Sequence, residues 1–134
     1  MPSFFLFLGG ISAFSGVVLG AFGAHGLKSI ISPEALMVYQ TAVTYQMWHA
    51  LGLIGIALMR QHAQDSNLLR WAGLFMFLGI VLFSGSLYLL AIFDLTALGK
   101  VTPIGGVSFL VAWSLIIIFS GKKTQRQRYK SSRY

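Results

Sequence analysis

Four long apolar stretches, joined by short polar connections, constrain the fold of this chain more than any other feature of its sequence. Together they contain one side chain that titrates near neutral pH, His49, and they comprise residues 4–24, 35–59, 71–93 and 101–121. Each is long enough to cross the roughly 30 Å hydrocarbon core of a bilayer as a helix. Hydrophobic residues make up 56% of the chain, more than a small core in water can bury, so we expect a membrane protein. We predict an all-α, up-down bundle of four transmembrane helices over residues 1–121, followed by a basic tail over residues 122–134.

Lysine and arginine residues are concentrated on one side of the predicted membrane path. An up-down path leaves Lys28 and Lys100 alone on one side, while eight basic residues lie on the other, namely Arg60, Arg70, Lys122, Lys123, Arg126, Arg128, Lys130 and Arg133. Because basic segments near the spans stay in the cytoplasm, we predict that both termini are cytoplasmic. We expect the tail to anchor this topology and to touch anionic lipid. Its aromatic residues are only Tyr129 and Tyr134, so we do not expect nucleic-acid binding.

One face of the first predicted helix consists of small residues. At 100° per residue this face contains Gly9, Ser12, Ala13, Gly16, Gly20 and Gly23, whereas bulky Phe14 and Phe22 lie on the other side. Small residues allow helices to approach closely in a membrane. We predict that this seam packs against another helix of the same chain or, alternatively, against a second copy. A removable signal peptide is the competing interpretation of this stretch, but Met1-Pro2-Ser3 supplies no basic side chain.

The second predicted helix carries a polar stripe. Thr41, Tyr45, His49 and Gly52 recur at helical spacing, with Gln46 beside them, and we expect this face to point into the bundle. In an up-down path most polar side chains of the spans fall in the outer half of the membrane. The residues assigned to this set are His25, Tyr45, Gln46, His49, Ser84, Ser86, Tyr88, Thr102, Ser108 and Trp113. They predict either an outward-opening pocket that binds a ligand around His49, or hydrogen bonds that hold the helices together.

The remaining reactive side chains argue against catalysis. The chain has no cysteine, and its three acids, Glu34, Asp65 and Asp94, lie outside the predicted spans. Catalytic zinc usually takes three protein ligands, whereas His25 and His49 supply two on the outer side. We therefore expect no enzyme activity, no metal site and no cofactor. Haem bound by these two histidines is disfavoured, because His25 lies at the outer end of its helix.

Four short motifs in order resemble those of a known family. They are Gly20-Ala21-Phe22-Gly23-Ala24-His25-Gly26-Leu27, Tyr45-Gln46-x-x-His49, the run from Leu82 to Tyr88, and the run from Thr102 to Leu110 with Trp113. Over about residues 4–121 the chain resembles the YgdD/YwdK-like small membrane proteins, the domain of unknown function 423, which has an animal transmembrane homologue. The resemblance implies a four-helix integral protein of the bacterial inner membrane. It brings no activity and no functional residue with it.

Two classes of function are compatible with this sequence. The lack of a charge network within the spans and the abundance of glycine favour an accessory or structural membrane component without turnover. Such a protein contacts membrane lipids and forms a homodimer or joins a larger membrane protein. The alternative is a protein that binds a small ligand, or transports protons or a solute, through a polar pocket around His49. Four helices make a small transporter, so a complete path would require a dimer.

Overall fold

The described residues of the computed structural model, 2–133, are almost entirely helical, and four of their helical segments are long and apolar enough to cross a membrane. The first, second and fourth spans contain α1 (Pro2–His25), α2 (Pro33–Gln61) and α5 (Thr102–Ser131). The third span consists of α3 (Asn67–Gly79), a π-helical turn (Ile80–Ser84) and α4 (Gly85–Phe93). Short 3-10 turns, Leu27–Ser29 and Thr96–Lys100, lie in the connections between the first and second spans and between the third and fourth. The chain is thus an all-α bundle of four spans, as the sequence predicts.

Local side-chain chemistry defines where the helices begin and end. The Ser32 hydroxyl caps α2, and Pro33 occupies the first turn, where no hydrogen-bond donor is needed. Ser66 caps α3 by accepting from the Leu69 amide at 3.4 Å, which lets the helix start four residues before the predicted span. At the other end of the third span, Asp94 adopts a left-handed conformation with φ of 52° and ends α4. These caps place the polar connections just outside the apolar spans.

The basic segment after Gly121 continues α5 as a helix through Ser131. Its charged residues are incompatible with the bilayer core, but lysine, arginine and glutamine are good helix formers. At 1.5 Å per residue, the ten residues beyond Gly121 lengthen α5 by about 15 Å. The predicted tail is therefore an exposed helical extension of the fourth span. Tyr134, which the tail prediction includes, lies outside the described residues, as does Met1.

α2 and the third span form the centre of the bundle. α1 packs mainly on α2, and α5 packs mainly on the third span. The larger core cluster includes Leu53, Ile56, Leu69, Met76 and Phe109. A smaller cluster near the two connections that contain the 3-10 turns consists of Leu27, Tyr39 and Ala91. The outer face of α1, including Phe7 and Phe14, remains exposed, as expected for a surface that contacts lipid.

The small residues of α1 lie against α2. A Cβ added at Gly16 would stand 2.6 Å from the Met47 sulfur, and one added at Gly23 would collide with the Tyr39 ring. Gly10, about 100° around the helix from Gly9, has nothing within 4 Å. The other seam residues follow the same pattern: Gly9 meets Ile54, Gly20 meets Val43, Ser12 is buried and Ala13 is half-buried. The seam is thus occupied by α2 of the same chain.

α5 and the third span are in close contact at the π-helical turn. A Cβ on Gly105 would collide with the Phe83 backbone, so the two helices touch main chain to main chain at this point. Gly79, just before the turn, is covered by the Phe109 ring of α5. Ser84, at the end of the turn, donates a hydrogen bond across to the Ala42 carbonyl of α2 at 2.7 Å. The turn therefore fixes the third span against both of its neighbours.

Candidate functional site

Gln46 lies at the centre of a polar cluster that joins three spans. Its side-chain amide nitrogen donates to the Ser12 carbonyl and to the Ser15 hydroxyl, both at 2.8 Å. Its amide oxygen accepts a hydrogen bond from the Tyr88 hydroxyl at 2.7 Å. The residue is 5% exposed. Both amide hydrogens and the amide oxygen are therefore used in holding α1, α2 and α4 together.

Tyr39 extends this cluster toward the end of the bundle where α2 begins. Its hydroxyl donates to the Leu19 carbonyl of α1 at 2.5 Å, and its ring packs edge-on against Tyr88 with the centroids 5.1 Å apart. The glycine at position 23 leaves the space that this ring occupies. Tyr39 and Ser15 are absent from the residue set predicted from sequence. Tyr39 was recognisable in principle, because it lies seven residues, or two helical turns, before Gln46.

The buried face of α2 is rotated from the one that the sequence predicts. Thr41 is exposed, and its hydroxyl donates to the Met37 carbonyl within the same helix at 3.0 Å. Gln46, predicted to flank the stripe, is among the most buried polar residues of the helix. The prediction that Thr41 points inward is therefore wrong. A threonine can satisfy its hydroxyl on its own helix, whereas the glutamine amide needs partners elsewhere.

His49 lies one turn further along α2, in an aromatic cluster. Its ring stacks on Phe109 of α5 with the centroids 3.5 Å apart and the planes 15° from parallel, and it meets the edge of Trp113 at 6.0 Å. Nδ1 lies 2.6 Å from the Tyr45 carbonyl oxygen. Because a carbonyl only accepts, Nδ1 carries the hydrogen, and in the neutral ring Nε2 is an acceptor. Nε2 makes no hydrogen bond to any described residue.

The predicted serine and threonine residues bond across helices or to nearby backbone. The Ser84 hydroxyl donates to the Ala42 carbonyl and the Ser108 hydroxyl donates to the Phe75 carbonyl, both at 2.7 Å. The Ser86 and Thr102 hydroxyls form a hydrogen bond with each other at 2.6 Å. All three join different elements of the bundle. These hydroxyls are therefore engaged in packing the spans together.

Two predicted residues keep much of their surface exposed. His25 ends α1 and is exposed, while Trp113 contacts His49 but leaves 41% of its surface exposed. No group of three or more potential metal ligands occurs in the described part of the chain. Four cavities of 380–540 Å³ open at the two ends of the bundle, and neither Gln46 nor His49 lines any of these four. Ligand binding at the predicted residues stays a prediction.

The basic residues assigned as topology determinants lie at the end of the bundle that holds both ends of the described chain. We call it the basic end; it comprises the start of α1, the connection 62–66 and the α5 extension. Arg70 and the six basic residues after Gly121 are exposed. Arg60 differs, because only 7% of its surface is exposed.

Comparison with known proteins identifies the family. The family model described as "Protein of unknown function (DUF423)" matches residues 19–106. The UPF0382 membrane protein YwdK of Bacillus subtilis is 46% identical over 118 residues, which cover 88% of this chain and 96% of that protein. UPF0382 membrane proteins of Staphylococcus saprophyticus and Staphylococcus aureus are 46% and 45% identical, over 85% and 88% of this chain and 93% and 95% of their own lengths. No solved structure matches the chain. The chain therefore belongs to the DUF423 family of membrane proteins.

Proposed function

We propose that this chain is an accessory or structural component of the bacterial inner membrane, with both termini in the cytoplasm and no turnover of its own. The observation that carries the proposal is the Gln46 amide, whose donors and acceptor are all engaged with Ser12, Ser15 and Tyr88. A group that moves a solute must exchange its hydrogen bonds during each cycle. Gln46 instead forms hydrogen bonds that link three of the spans and stabilise their packing.

The hydroxyl groups of the bundle support the same proposal. Ser84 and Ser108 each donate to a backbone carbonyl of a neighbouring element. Such bonds stabilise association between membrane helices, where no hydrophobic force from water acts. The four cavities described above lie at the ends of the spans, away from these residues. A structural component needs this kind of packing, together with an outer surface on which a partner can bind.

Photo-crosslinking in native membranes tests the proposal. A photoreactive amino acid is introduced at Phe14 of α1 or Trp48 of α2, which are 72% and 60% exposed, and at fully buried Leu53 as the matched control. We expect one larger membrane protein to be captured in constant ratio from an exposed position and not from Leu53. Capture of lipid alone, or of a second copy alone, from both exposed positions would contradict a role as a subunit of a larger assembly.

A transport protein is the second candidate, and the free Nε2 of His49 favours it. A neutral imidazole nitrogen without a hydrogen-bond partner can accept a proton or a ligand hydrogen. If this candidate is correct, purified protein in liposomes carries a proton or small-solute flux that His49→Ala abolishes. His25→Ala, at an exposed histidine outside the cluster, serves as the control and keeps the flux. Liposomes that show no flux with the intact chain would exclude proton transport under the conditions tested.

A further inference from the structure

Arg60 is a buried cation at the basic end. It lies one residue before the end of α2 and has 7% of its surface exposed, whereas Arg70 and the basic residues of the α5 extension are exposed. Phe5 covers the guanidinium, with Cζ 5.5 Å from the ring centroid. Removing a charge from water is costly unless the charge gains partners, so the surroundings of this side chain should supply them.

The described residues supply too few of these partners. Nη2 donates to the Gln64 carbonyl at 3.1 Å. Nε and Nη1 are covered and have no hydrogen-bond partner, and they are the only side-chain nitrogen or oxygen atoms of the described residues in this condition. Because an arginine presents five donor hydrogens in one plane, Nε and Nη1 leave three donor hydrogens that match the oxygens of an oxyanion.

A cavity of about 380 Å³ lies against the same side chain. Its walls are Arg60 of α2, Arg70 and Leu74 of α3, and Phe4 and Phe5 of α1. The cavity is therefore built from three spans and has two arginines and three apolar residues around it. None of the acids of the chain lines it, and Glu34 and Asp94 line a separate cavity at the opposite end.

We propose that Arg60 and Arg70 form a binding site for a phosphate group at the membrane–water interface. Arg60 is at the last turn of α2 and Arg70 at the first turn of α3, which places the site at the level where a bilayer presents its headgroups. Two guanidinium groups provide the charge that a phosphate requires, and the apolar walls face the adjoining glycerol or acyl groups. The phosphate belongs to a phospholipid or to a soluble ion, and both sources present the same oxygens.

Thermal unfolding of the full-length chain in detergent tests the site. The protein is titrated with dioctanoyl phosphatidylglycerol, with dioctanoylglycerol, which lacks the phosphate, and with inorganic phosphate. We expect an increase of the midpoint with phosphatidylglycerol and none with dioctanoylglycerol. Arg60→Met should weaken the apparent affinity about tenfold or more, as expected when a charge-assisted pair is removed. Arg70→Gln should weaken it severalfold, while Arg128→Gln, the same kind of charge change outside the cavity, leaves it unchanged.

The outcomes separate the two sources of phosphate and decide the proposal. A midpoint increase with inorganic phosphate that depends on Arg60 identifies a soluble ligand, whereas an increase with phosphatidylglycerol alone identifies a lipid. Equal effects of phosphatidylglycerol and dioctanoylglycerol would overturn the site. So would wild-type affinity in Arg70→Gln, a substitution at an exposed position that tests the site even if Arg60→Met does not fold. Equal losses of affinity in Arg70→Gln and Arg128→Gln would likewise overturn it. They would show that the ligand responds to the net positive charge of the protein and not to the cavity.

Discussion

The Tyr88 hydroxyl donates to the Gln46 amide oxygen at 2.7 Å, joining two residues that lie 42 positions apart in the sequence. Through the Gln46 amide nitrogen the same contact continues to Ser12 and Ser15 of α1. The buried side chain of Gln46 thereby connects α1 to the third span. This connection leads to a specific expectation for stability.

Tyr88→Phe should lower the free energy of unfolding by about 1 kcal/mol, because it leaves the buried Gln46 oxygen without a partner. In the Gln46→Leu background the same substitution should cost little, since the acceptor is already absent. Denaturation of the four proteins in mixed micelles gives the interaction energy directly. Additive effects of the two substitutions would show that the contact does not contribute to stability.

Gly105→Ala should destabilise the bundle by about 1–3 kcal/mol, because the added methyl group collides with the Phe83 backbone, which cannot move aside like a side chain. Gly106→Ala is the matched control. Its nearest neighbour would be 3.9 Å away, and alanine is the better helix former, so this variant should be unchanged or more stable by up to about 1 kcal/mol. Thermal unfolding of both variants checks the difference. Equal midpoints would contradict the close approach of α5 to the third span.

Gly16→Val should destabilise the monomer, because the Met47 sulfur and the Gln46 amide already occupy the space in front of Gly16. We expect a loss of about 1–3 kcal/mol, the usual cost of overpacking. Gly10→Val, on the face with nothing within 4 Å, should lose much less. Unfolding measurements combined with the mass of the protein–detergent complex distinguish two explanations. A variant that keeps its stability but changes from dimer to monomer would show that the seam joins two copies.

Cysteine labelling tests the orientation, since the chain has no cysteine of its own. Ser29→Cys lies in the connection between α1 and α2, and Gln64→Cys lies between α2 and α3; both positions are exposed. If the basic end is cytoplasmic, a membrane-impermeant thiol reagent labels Ser29→Cys in intact cells and labels Gln64→Cys only after lysis. The reverse pattern would place both termini on the outer side.

The four membrane spans can be predicted from the sequence, because their hydropathy and length identify them. The helical segments that extend beyond the spans depend instead on helix capping and on the helix propensity of polar residues. The predicted span 35–59 lies inside α2, which begins earlier because Pro33 suits the first turn of a helix. The predicted span 101–121 begins one residue before α5 and ends before that helix does, because the polar residues after Gly121 still favour helix. The face of α1 that packs on α2 can also be predicted from residue size, because small residues on one side of a helix allow a neighbouring helix to approach closely.

The candidate site is less predictable because hydrogen-bond partners depend on which helices meet. The sequence identifies Gln46, His49 and Tyr88 as polar residues in the same half of the membrane. It does not reveal that Gln46 bonds to α1, or that Thr41 satisfies its hydroxyl within α2. The burial of Arg60 is equally hidden, because a basic residue near a helix end is normally exposed at the interface.

The extra residue of the π-helical turn keeps the third span in phase with α2. Met76, Ile80, Ser84 and Tyr88 follow one another at intervals of four, and Ser84 and Tyr88 both bond to α2. At 100° per residue, three such steps would rotate the contact line of a regular helix by about 120°. One inserted residue offsets about 100° of this rotation. In a regular α-helix without the π-helical turn, the same residues would therefore direct Tyr88 about 120° away from the line through Met76, and away from Gln46. Deleting one residue of the turn would instead leave a continuous helix that keeps Tyr88 close to this line.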